Sequence, residues 1–230
     1  MDLLSQHEAF LRAIYDAPGD DTPRLVYADF LQENGEEDRA QFIRWQCGCG
    51  EQPKALPGRL EAFARGFPRP WKTTAIGVDA LRDPVALRRS LLKAPECFAV
   101  EGVRLVAGRI TTSEPFDALF ALAAFARVTE LNLEGGEVEE EAVEGSPFTP
   151  FHLEPVISTA GVEALVQHRG VRKITALILT NNNLDNDAAR ALVKSPYLDN
   201  LKRLDLLEGN RFRGKVWQQV LARFGEDVVG

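Results

Sequence analysis

The residues with the most obvious chemical capacity are two cysteines one residue apart, in Cys47-Gly48-Cys49. Two thiolates at this spacing supply half of a tetrahedral zinc site, which normally needs a second ligand pair. Cys97 and His7 stand far off in the chain and form no such pair, so two free thiols at a helix end are expected, with no metal. His7, His152 and His168 are scattered, and none lies in a motif with a serine or cysteine nucleophile. Glu137, Glu139, Glu140, Glu141 and Glu144 form an acidic run. Two-carboxylate catalysis needs acids held at a fixed separation in a cleft, so this run reads as a solvated loop. Asp29 lies among Tyr27, Ala28 and Phe30, with Arg24, Arg39 and Arg44 within reach. An acid buried there needs a partner; the expectation is an internal ion pair locking helices together, the alternative a recognition site. No cofactor and no catalysis are expected.

The elements that must carry these residues follow from a spaced apolar pattern that recurs four times. Val100, Val103, Leu105 and Ile110 form the first copy; Val128, Leu131, Leu133 and Val138 the second; Ile174, Leu177, Leu179 and Leu184 the third; Leu201, Leu204 and Leu206, closing with Asn210 and Phe212, the fourth. The copies resemble leucine-rich repeats. Equivalent positions are separated by 28, 46 and 27 residues. The long step is one repeat carrying an insertion of about 18 residues, near 137–153. The asparagine of the pattern is present at Asn182 and Asn210, whereas Gly108 and Gly136 stand in the first two copies. In the family the amide satisfies backbone groups at the turn after the strand, so the first two turns must close differently. The resemblance implies an α/β fold: a short solenoid with parallel strands on a concave face and helices on the convex one. Helices are expected after Ser113, after Ser158 or Thr159, after Asp185, and over Trp217, Val220, Leu221 and Phe224.

Residues 1–46 read as three short helices, with Thr22-Pro23 starting the second and Asn34-Gly35 ending it. The string RLVYADFLQENGEEDRAQFIRWQ resembles the bacterial repeat-companion domain, which precedes leucine-rich repeats; Phe30 stands where that family usually has Trp. The resemblance implies an all-helical N-terminal cap domain and no particular reaction. Residues 47–99 are the junction, in which TAIGVDAL is a degenerate first strand, and 100–230 the repeats.

The net charge of -7 is strongly segregated: -6 over 1–50, +5 over 51–110, -9 over 111–170 and +3 over 171–230. No run of apolar residues is long enough for a membrane span, the N-terminus lacks a secretory pattern, and three unpaired cysteines favour a reducing, cytoplasmic setting. Strand alternation places Gly102, Arg104, Val106, Glu130, Asn132, Glu134, Ala176, Ile178, Thr180, Arg203, Asp205 and Leu207 on the concave face. Bare Ile178 and Leu207 in a charged row suit a protein partner. Phe148 and Phe151, beside prolines in the insertion, are a second candidate contact. The expected function is therefore non-enzymatic protein–protein recognition, as a scaffold or adaptor. The alternatives are a nucleic-acid-associated module using the basic junction 54–93, for which the net charge is unfavourable, an enzyme with a site between the helical domain and the first repeat, and a purely structural cap.

Overall fold

The computed structural model describes residues 2–54, 63–68, 73–139 and 151–230; the side chains of Pro68, Glu96, 137–139 and 151–153 are not described. The chain divides into two compact units, one of Met1–Lys72, Val85–Val100 and Leu122–Arg127, the other of Thr73–Pro84, Glu101–Ala121 and Val128–Gly230. Residues 47–99 are thus shared between the two units.

The first unit begins with α1 (Leu3–Asp16), whose N-terminus is capped by Asp2 accepting from the Ser5 N–H at 2.8 Å. Next come α2 (Thr22–Glu33) and α3 (Glu37–Gln46). Asp21 occupies the N-cap position of α2, one residue before the expected Thr22, because the Asp20 carboxylate already holds the Thr22 N–H at 2.8 Å. Gly35, at φ +83°, turns the chain into α3. A small hairpin pairs β1 (Phe63–Ala64) with β2 (Phe67–Pro68), and α4 spans Pro84–Leu91. Gly66 sits at φ +85°, and a Cβ there would lie 2.6 Å from the Ile43 Cα, so only glycine fits. Leu11, Ile14, Tyr27, Leu31, Ile43 and Phe67 fill the core.

The second unit is a five-stranded, wholly parallel sheet. Its strands are β3 (Thr73–Gly77), β4 (Gly102–Val106), β5 (Glu130–Asn132), β8 (Ala176–Ile178) and β9 (Arg203–Asp205), laid side by side in chain order. β3 is the degenerate first strand expected from TAIG. Between β5 and β8 lies an antiparallel hairpin of β6 (Gly136–Glu139) and β7 (Phe151–Glu154). The helices are α5 (Glu114–Ala121), α6 (Thr159–Gln167), α7 (Asn186–Lys194) and α8 (Lys215–Phe224). Register explains the apolar spacing: Val103, Leu131, Leu177 and Leu204 face one another across four strands, each completely buried. Each such side chain contributes about 1.5–3 kcal/mol by leaving water. The chain is therefore α/β, with eight α-helices and one five-stranded parallel sheet among the described residues.

Caps set the helix starts. Ser158 Oγ accepts from the Gly161 N–H at 3.1 Å, and Asp185 Oδ1 accepts from the N–H groups of Asp187 and Ala188 at 3.0 and 3.3 Å. In α8 the buried positions are Val216 and Val220, with Trp217 half-buried rather than inward. Residues 228–230 run along β9: the Leu204 and Leu206 N–H groups donate to Val228 O and Gly230 O at 2.8 and 2.7 Å, and the Gly230 N–H returns to Leu204 O at 3.0 Å. Among the described residues no helix is long and apolar enough to cross a membrane.

Candidate functional site

The turns that follow the strands define the site. In three of them the left-handed residue falls at one equivalent place: Ala107 at φ 52°, Asn181 at φ 60° and Gly209 at φ 65°. The residue after it differs. Asn182 is buried; its Nδ2 donates to Leu133 O, Leu179 O and Thr180 O at 2.6, 3.0 and 2.9 Å, while its Oδ1 accepts from the Ile157 N–H at 3.0 Å. Asn210 repeats the arrangement, donating to Leu179 O and Leu206 O and accepting from the Leu184 N–H, all within 2.9 Å. The extra residue of the fourth copy is absorbed before Gly209, which leaves Asn210 in place. The first turn, with Gly108, closes through other contacts: the Ile110 N–H donates to Val156 O at 2.7 Å, and the Ser158 N–H to Ile110 O at 3.0 Å.

The second turn, lacking an asparagine, opens into the β6–β7 hairpin. The insertion near 137–153 carries the acidic run for which a solvated loop is expected. Its two ends are instead paired strands, joining Gly136 to Glu154 and Glu139 to Phe151. The alternating sequences GEVE and FHLE fit a two-residue strand period, a signal masked by the acidic composition. Phe148 lies outside the described residues, and for Phe151 only the backbone position is described.

On the exposed face of the sheet Arg104, Arg203 and Leu207 are exposed, Leu207 by 58 % of its surface. Glu130, Asn132, Glu134, Thr180 and Asp205 are half-buried. Arg104 pairs with Glu134 at 3.4 Å, and Arg203 holds Asp205 through two bonds of 3.2 and 2.5 Å. That hydrogen bonding raises the Arg203 pKa. Two residues depart from expectation. Ile178 is only 6 % exposed; it lies on an inner strand, with Asn132 and Asp205 beside it in register on the two neighbouring strands. Gly102 is also buried, close against Thr73 and Glu130.

Beyond Asn132 the sheet parts. β4 pairs with β3 as far as Val106 but with β5 only as far as Arg104. The Glu134 N–H turns back to Asn132 Oδ1 at 2.9 Å, while the Leu133 and Gly135 N–H groups bond to Ile178 O and Thr180 O. A cleft of about 370 Å³ lies at this parting, lined by Arg104, Ala107, Arg109, Glu134, Gly136 and Glu154 among others. The row of sheet residues and the root of the insertion thus meet at one place, which spacing alone did not reveal.

The remaining candidates are used internally. Asp29 is 67 % exposed at its side chain and pairs with Arg44 at 2.6 Å. It is therefore not a buried charge, and such a surface pair is worth about 1 kcal/mol or less. Arg24 is instead the buried member, bonding to the carbonyls of Asp20 and Pro18. In the basic junction, Arg65 pairs with Asp21, Arg82 with Asp79 and Arg88 with Glu8. The last is a forked pair, at 2.9 and 3.0 Å, on a carboxylate only 9 % exposed, with Ser5 Oγ as a third contact at 3.1 Å. It links residues 80 positions apart, so no local pattern foretold it. Burial pushes the Cys47 thiol up to about 11, helped by neighbouring Asp21. His7 lies 2.8 Å from the Tyr27 hydroxyl and 4.0 Å from Glu36; burial lowers its pKa and raises that of Tyr27 to about 12. Neither His7, Tyr27 nor Cys47 lines the cleft. Among the described residues there is no group of three or more metal-ligating side chains. Comparisons with known protein families, with curated proteins and with solved structures gave no match.

Proposed function

We propose that this chain is a non-catalytic protein-recognition module: a short leucine-rich-repeat solenoid joined to a helical domain of the repeat-companion type, binding a protein partner through the exposed face of its sheet. The observation that supports this most directly is Leu207, an exposed apolar side chain at the end of a row that carries Arg104, Glu130, Glu134, Arg203 and Asp205. An apolar centre ringed by polar and charged side chains is the usual anatomy of a protein interface. The ion pairs along the row hold its long side chains in fixed positions, which lowers the entropy lost when a partner docks. In the basic junction Arg65, Arg82 and Arg88 are paired internally, which favours the recognition reading over a nucleic-acid one.

Affinity capture from the native cell extract tests it. The intact chain is compared with a variant carrying Leu207→Arg and Arg203→Glu, once circular dichroism has shown both to be folded. Recognition by this face requires a defined protein that the intact chain retains and the variant loses. Equal recovery by both removes the face from consideration.

A further inference from the structure

The cleft between the carboxyl ends of β4 and β5 contains hydrogen-bond donors that equivalent turns elsewhere in the sheet do not leave free. In the turn after β8, the Asn181 and Asn183 N–H groups donate to Glu208 O and Gly209 O of the following turn, at 2.7 and 2.9 Å. Ala107 and Arg109 stand at the same places after β4, but the chain that should supply their acceptors leaves into the β6–β7 hairpin. Among the described residues the N–H groups of Ala107, Gly108 and Arg109 have no hydrogen-bond partner, and neither has the Arg109 guanidinium. Ala107 also holds φ 52°, a left-handed conformation unfavourable for alanine. Successive N–H groups around such a residue form a concavity that receives anionic oxygen. Arg104 and Arg109 line the same cleft.

We propose that this cleft binds a carboxylate group of a peptide, its oxygens taking the N–H groups of Ala107–Arg109 and the Arg109 guanidinium. The Arg104–Glu134 pair forms one wall, and Glu154, which has no ion-pair partner among the described residues, accepts an N–H of the same peptide. The inference rests on the recognition reading, since it makes the ligand part of a protein partner. It differs in placing the specific contact in the cleft and not at Leu207.

Amide correlation spectra of the full chain test it, with three probes titrated into the low millimolar range: acetyl-trialanine with a free carboxylate, the same peptide as its C-terminal amide, and acetyl-Ala-Glu-Ala amide. Binding requires saturable shifts of the Ala107, Gly108 and Arg109 amides with the first probe, the third, or both, and none with the second. The first identifies a chain terminus as the carboxylate source and the third a side chain. Two variants localise the effect. Arg109 is exposed and partnerless, so Arg109→Ala leaves the fold intact; Gly136 has open space where a Cβ would go, so Gly136→Phe fills the cleft without a clash at the backbone. Each should weaken binding by about tenfold or more, the loss expected for one charge-assisted hydrogen bond or a blocked site. Absence of shifts, equal shifts with the amide probe, or shifts unchanged in both variants overturn the proposal. Should it fail while Leu207→Arg still abolishes partner capture, the recognition reading stands alone; should the cleft bind while capture is indifferent to Leu207, the exposed row falls instead.

Discussion

Replacing Asn182 by alanine tests the reading that buried amides hold the strand–turn units together. The side chain makes four hydrogen bonds, but removal does not orphan all four partners. Leu179 O also accepts from Asn210 Nδ2 at 2.9 Å, and Thr180 O from the Gly135 N–H at 3.0 Å. The Leu133 carbonyl and the Ile157 N–H are left without a partner among the described residues. Each buried unpaired group costs about 1–3 kcal/mol, so Asn182→Ala should destabilise by about 4 kcal/mol, a large share of a domain's total of about 5–15 kcal/mol. Asn210→Ala also orphans two groups, Leu184 N–H and Leu206 O, but Asn210 is half-buried and water can reach them. Its cost should be about 1–2 kcal/mol. Asn182→Asp keeps the bond from Ile157 yet sets an oxygen against Leu133 O, so it should be at least as damaging as alanine. Urea unfolding followed by circular dichroism measures the loss. Amide exchange at Leu177 and Leu204 gives it without assuming a single transition. A loss below about 1 kcal/mol at Asn182, or one smaller than at Asn210, would refute the reasoning.

Two further predictions concern the first unit. Arg88→Met strands the nearly buried Glu8 carboxylate and should cost about 3 kcal/mol, whereas adding Glu8→Met should recover part of that; thermal unfolding of the single and double variants measures both, and an additive result contradicts the pairing. His7 has a folded-state pKa below the ordinary histidine value of about 6.5, chiefly through burial, with Glu36 raising it and Arg39 lowering it. The unfolded chain therefore takes up the proton first, and stability present above pH 6.5 should decline as pH falls through the lowered value. Melting temperatures measured across that window should fall less steeply for His7→Gln; identical slopes would exclude His7 as the titrating group.

Much of the sheet was legible because its apolar period is enforced by register. Val103, Leu131, Leu177 and Leu204 must coincide across strands, and their spacing locates β4, β5, β8 and β9 directly. Asn182 and Asn210 were legible for the same reason: each fills a fixed place in a turn. The cleft was not, since it arises from where pairing stops, and nothing local marks that Asn132 draws the Glu134 N–H away from β4. Ile178 shows the limit of alternation as a guide. Its position in the strand points outward, yet it is buried between neighbours on both adjacent strands, which alternation along one strand does not register. The Glu8–Arg88 pair depends on chain packing across 80 positions, beyond the reach of any motif.

The run of residues 228–230 along β9 has a consequence for how the molecule behaves in a crowded solution. An outer strand with free amides and carbonyls is a template on which another chain can extend the sheet, the first step toward strand-mediated aggregation. Here Val228, Val229 and Gly230 already occupy that template, with main-chain bonds on Leu204 and Leu206. The protection is local and detachable. Displacing this short strip would convert the β9 side from a covered border into an adhesive one, with no change in the core beneath it.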